Sequence, residues 1–151
     1  MRSVFVFAGV LSIAASAGHA EECFTSVDIE ADQAILYQTE LMVVSDICRN
    51  DAYVSFLSRN TDAIRYFQKQ MITHFARGGS SDAVGDLDTY TTRLANQTML
   101  RYGGAPTASL CREKQTFMLT GGRYLDEPTL RQWAASQARA NVGKYRICPA
   151  P

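Results

Sequence analysis

Residues 51–77, DAYVSFLSRNTDAIRYFQKQMITHFAR, decide the fold. Tyr53, Phe56, Leu57, Ile64, Phe67, Met71 and Phe75 recur at the spacing that puts side chains on one face of a helix. The stretch predicts one long amphipathic helix, with Asn50 or Asp51 able to accept hydrogen bonds from its first free N–H groups. Asn60 interrupts the stripe. An apolar face of that width has to be covered, so the remainder of the chain must supply matching faces.

On the N-terminal side, Tyr37, Leu41, Val44 and Cys48 step by four, three and four, and Leu36, Val43 and Ile47 widen their face. This predicts a helix over 29–48, with the acids Asp28, Glu30 and Asp32 near the positive end of its dipole. Only Arg49-Asn50 separates it from the next helix, which implies a tight hairpin. On the C-terminal side a helix is expected over 82–102, capped by Ser80 or Ser81, with Leu87, Tyr90, Leu94 and Thr98 facing inward. Another follows over 106–119, with Leu110, Cys111, Phe117 and Met118 as core candidates. The last is expected over 127–141, with Asp126 as its cap, Pro128 in its first turn, and Leu130, Trp133, Ala134 and Ala138 facing inward. Gly78-Gly79, Gly103-Gly104 and Gly121-Gly122 each follow a helical stretch and read as stops in the left-handed conformation. No run alternates with period two for long enough to make a sheet. The expectation is an all-α fold, a small up-and-down bundle of four to five helices stapled by disulfides.

The first twenty residues read as a secretion signal. Arg2 gives a positive start, an apolar run extends from Val4 to Ala15, and Gly18 and Ala20 are small residues before a cut after Ala20. The run is too short to span a bilayer, which takes about 20 apolar residues. Residues 21–151 are then one exported helical domain, periplasmic or secreted, with no stable membrane insertion after cleavage.

Cys23, Cys48, Cys111 and Cys148 all follow the expected cut. An even count in an exported chain implies disulfides. The cysteines contain no C-x-x-C pair, which argues against a zinc site and a thioredoxin-like centre. The helix order puts Cys48 and Cys111 at one end of the bundle. The termini are then tied by Cys23 and Cys148.

The charges balance overall but not along the chain. Residues 21–88 carry twelve acids against five Lys and Arg, and residues 89–151 carry nine Lys and Arg against three acids. Acidic front helices lying against basic rear ones account for this more simply than two opposed binding patches.

Few residues are suited to catalysis. His74 is the single histidine after the expected cut, and its place in the last turn of a helix suits the dipole without a catalytic role. Asp82, Asp86 and Asp88 cluster at a helix start but lack the calcium-loop spacing. No G-x-S-x-G, phosphate loop or C-x-x-C-H is present. Asn96-Gln97-Thr98 matches a glycosylation sequon inside an expected helix. Arg65-Tyr66, Arg101-Tyr102, Arg123-Tyr124 and Tyr145-Arg146 suit the rim of a core better than a nucleic-acid surface.

These features give no catalytic residue, metal ligand or cofactor. The leading functional expectation is a non-catalytic accessory protein that binds an envelope protein or a small ligand. The rivals are a small hydrolase of envelope glycans using two carboxylates, and a secreted inhibitor or stress factor acting through the charge asymmetry.

Overall fold

The computed structural model describes residues 23–149. The expected leader and its cleavage point lie outside them. Among the described residues there are seven α-helices: α1 (Ser26–Ile47), α2 (Ala52–Arg59), α3 (Thr61–Arg77), α4 (Ala83–Tyr102), α5 (Thr107–Glu113), α6 (Gln115–Leu119) and α7 (Glu127–Asn141). A π-helical turn, Thr120–Tyr124, follows α6, and a 3-10 turn, Val142–Lys144, follows α7. The fold is all-α, and among the described residues the one β feature is an isolated parallel bridge between Phe24 and Ile147.

α1 is central and touches α2 through α7. Its first turn meets the last turn of α3 through Asp28 and Arg77, so these two helices run antiparallel. Tyr90 near the start of α4 reaches Asp32, and Tyr102 at its end reaches Glu40, so α4 runs with α1. Trp133 and Asn141 of α7 meet Tyr37 and Gln33 in reverse order, so α7 runs against it. Buried Phe56, Ile64, Phe67, Met71, Leu87 and Leu130 close around Leu41, Ile35 and Ala31 of α1.

The expected count of four to five helices is corrected to seven, because two expected helices are divided. The first break is at Asn60, fully buried between α2 and α3. Its Nδ2 donates to the carbonyls of Phe56 and Leu125, at 2.9 and 2.8 Å. With both of its Nδ2 protons spent on backbone carbonyls, this side chain binds the junction to a loop 65 residues away in sequence. The second break is at Lys114, between α5 and α6.

Gly121 and Gly122 do not stop a helix. They lie within the π turn, and a Cβ on Gly121 would sit 2.6 Å from Leu41 Cδ2. The absent side chain lets the turn's backbone press against the core. Arg59 fixes the same turn by donating to the carbonyls of Gly121 and Arg123. Gly103 is right-handed at φ −66, whereas Gly79, at φ +95, takes the left-handed conformation expected of a stop.

Capping also differs in part. α1 begins earlier than expected, at a capping box in which Thr25 accepts from the Asp28 N–H and the Asp28 carboxylate accepts from the Thr25 N–H. Asp82, not Ser80 or Ser81, caps α4 by accepting from Gly85 N. Asn50 accepts from Ala52 N, while Asp51 makes no side-chain cap. Asp126 caps α7 through Thr129 N.

Candidate functional site

The structure brings Cys23 to Cys148 and Cys48 to Cys111 at disulfide distance. Cys23 precedes α1 and Cys48 is its C-cap, so each bridge braces an end of the central helix.

The interior acids are committed to structural partners. Asp28, expected merely to complement a dipole, is 2% exposed. Burial pushes its carboxyl up, but hydrogen bonds from Thr25 and Arg77 outweigh that and hold it below the usual carboxylate value. His74 lies beside it, 1% exposed, with Nδ1 3.5 Å from the Asp28 carboxylate and 3.2 Å from the Arg77 guanidinium. Its ring packs on Phe24 at a centroid distance of 4.1 Å. The histidine does stand in the last turn of α3, and there it is buried at the α1–α3 contact.

Asp32, also buried, accepts hydrogen bonds from the hydroxyls of Tyr90 and Tyr145. Burial and the neighbouring carboxylate push both phenols above their usual range. Glu40 accepts from Tyr102 and pairs with Lys114 at 2.9 Å. Burial raises the Glu40 carboxyl, but those two partners bring it below its ordinary value. This pair joins the acidic and basic parts of the chain.

Elsewhere, Asp86 and Asp88 are exposed on α4 and Asp82 is spent on its cap. Among the described residues, no three His, Cys, Asp or Glu side chains form a group that could hold a metal ion. Arg101 lies over its own neighbour Tyr102, and Tyr66 is covered by Arg131, 4.4 Å from the ring centroid.

An open concavity lies where α4 leans on α1 and α2. Its main chamber, about 530 Å³, is bounded by α1, α2 and α4. Met42, Val43, Val54 and Met99 give it an apolar wall, and Ser45, Asn50 and Tyr53 interrupt that wall. Asp46 is its one charged lining residue and is exposed. A second chamber of about 320 Å³ shares Met42, Tyr53 and Ala95 with the first, so the two form one groove. This arm is lined by the amides of Gln38, Gln68 and Asn96 and the hydroxyls of Thr39, Thr91 and Thr92, with no charged group. Gln38 reaches Tyr53 across the junction at 3.5 Å.

The polar arm is open where α4 lines it with short side chains. Thr91, Ala95 and Asn96 stand where a bulkier helix would close on α1. Ser45 belongs to α1 and is 3% exposed, yet its hydroxyl makes no hydrogen bond within the protein. None of the groove residues was singled out by sequence for this purpose. The legible signal was the run of small and polar residues, Thr91, Thr92, Ala95 and Asn96, beside the inner face of α4 formed by Leu87, Tyr90, Leu94 and Thr98.

No protein-family model matches the chain, and neither a curated protein nor a solved structure matches it, so the groove is read from its own chemistry.

Proposed function

We propose that this is an exported, non-catalytic binding protein of the cell envelope or extracellular space, and that the groove beneath α4 is its binding face. One observation carries this reading: the open groove is lined by thioethers, aliphatic groups, amides and hydroxyls with the single carboxylate of Asp46 at its rim, while the inner carboxylates of Asp28, Asp32 and Glu40 are held by Thr25, Arg77, Tyr90, Tyr145, Tyr102 and Lys114. A concave, largely apolar site with a few polar groups is the usual form of a small-molecule site. Two cysteine pairs at disulfide distance favour an oxidising compartment. No helix among the described residues is long and apolar enough to cross a membrane.

The glycan-hydrolase reading needs two carboxyls about 5–10 Å apart across a cleft that admits substrate. Asp28 and Asp32 are buried under side chains that also hold the helices together, and neither lines the groove. The inhibitor reading relies on charge asymmetry, part of which is used internally by Glu40 and Lys114.

The test is to purify the protein from its native host, determine its N-terminus, and assay it for binding and for turnover on envelope glycans. A chain beginning at Glu21 with four bridged cysteines and no turnover is expected. Retention of residues 1–20 with four free thiols contradicts export, and multiple-turnover glycan cleavage contradicts the non-catalytic role.

A further inference from the structure

Resting on that binding role, we infer that the groove takes an uncharged amphiphile: an alkyl chain in the α1–α2–α4 chamber, joined to a hydroxyl- or amide-bearing head in the neighbouring arm.

Three features set this chemistry. The chamber wall of Met42, Val43, Val54 and Met99 suits a flexible apolar chain, because methionine adapts its shape at little cost. The arm offers amides and hydroxyls, which both donate and accept, so they match a polyol or amide head. It holds no counter-charge, so an ionised head would lose water without gaining a partner.

Ser45 lines the apolar chamber, not the arm, and its hydroxyl is buried away from the groove, so it offers a ligand in the chamber no polar contact. Asp46, exposed at the chamber's rim, is the one charge beside the chain and further disfavours an anionic amphiphile.

The experiment is an NMR titration of the oxidised protein, below micellar concentration, with 1-monodecanoylglycerol and n-octyl β-D-glucoside. Decanoate and decyltrimethylammonium serve as charged controls. The neutral probes are expected to give saturable amide shifts centred on Met42, Ser45, Val54, Ala95 and Met99. Decyltrimethylammonium should bind more weakly, and decanoate most weakly.

Val54→Asp changes an exposed residue, so it should leave the fold intact by circular dichroism and abolish the saturable shifts. Asn96→Ala removes an exposed amide of the arm and should weaken both neutral probes about tenfold, the equivalent of one hydrogen bond, with the circular dichroism unchanged.

Absence of saturable shifts with either neutral probe overturns the inference, as does equal affinity for the charged chains or unchanged affinity in Asn96→Ala. Release of decanoate from the glyceride overturns the non-catalytic role instead, while leaving the groove's ligand class in place.

Discussion

α1 and α4 are nearly equal in length, 22 and 20 residues, yet twelve residues of α1 are buried and two of α4. α1 contacts each of the other six helices and is braced at both ends by disulfides. α4 carries no cysteine and turns Val84, Met99 and Leu100 to solvent. It packs on the core through Leu87, Tyr90 and Leu94 and is tied to α1 by the Tyr90 and Tyr102 hydroxyls, with the groove between those hydroxyl contacts. The difference teaches a division of labour. Stability is concentrated in one helix, so its neighbour can be spaced away from it and leave room for a ligand.

The largest effects should come from the braces. In the chain-entropy model, losing Cys48–Cys111, with its separation of 63, costs about 4 kcal/mol, and losing Cys23–Cys148, with its separation of 125, costs about 5 kcal/mol. Chemical denaturation of the paired alanine variants measures this. A Cys23–Cys48 peptide in an unreduced digest would break the comparison, because α1 would then be looped to itself.

Next, Leu41→Ala empties a fully buried position in α1 and should cost about 3 kcal/mol by denaturant midpoint. Asp28→Asn should cost about 2–3 kcal/mol at pH 7, discounted from a fully buried pair because Arg77 is 41% exposed. The native Asp28 carboxyl lies below its ordinary value of 3.8, so its contribution is full above that pH and is lost as pH falls through the native value. The gap between wild type and Asp28→Asn should therefore be widest near neutrality and shrink below about pH 4. A gap that widened on acidification would contradict the assignment.

Two smaller effects sharpen the α4 side. Ser45→Ala, where α1 faces the groove, should raise apo stability by about 1 kcal/mol by relieving an unpartnered hydroxyl. Leu100→Ala on α4, 84% exposed, should change stability by less than about 0.5 kcal/mol. A cost for Leu100 near that of Leu41 would mean that α4 is packed by something beyond the contacts described.

The long helices were legible because their apolar residues recur at 3.6-residue spacing: Phe56, Ile64, Phe67 and Met71 are all buried. The breaks were not legible, because they are set across long separations. Asn60 is held by Leu125, and Gly121 is needed where Leu41 passes. Asp28 and Asp32 looked like dipole acids because their partners Arg77, Tyr90 and Tyr145 lie 49 to 113 residues downstream. The Thr25-x-x-Asp28 box was local and readable, and it would have placed the start of α1 correctly. The groove depends on what α4 fails to fill, and periodicity reports contacts rather than gaps.

Amide hydrogen exchange, with and without 1-monodecanoylglycerol, tests the division of labour most directly. Core amides exchange through global unfolding and loosely packed elements through local opening. The account predicts that amides of α4 exchange far faster than those of α1 in the apo protein and slow when the glyceride is present, while those of α1 stay limited by global unfolding. Equal protection of the two helices, with no response of α4 to the glyceride, would contradict it.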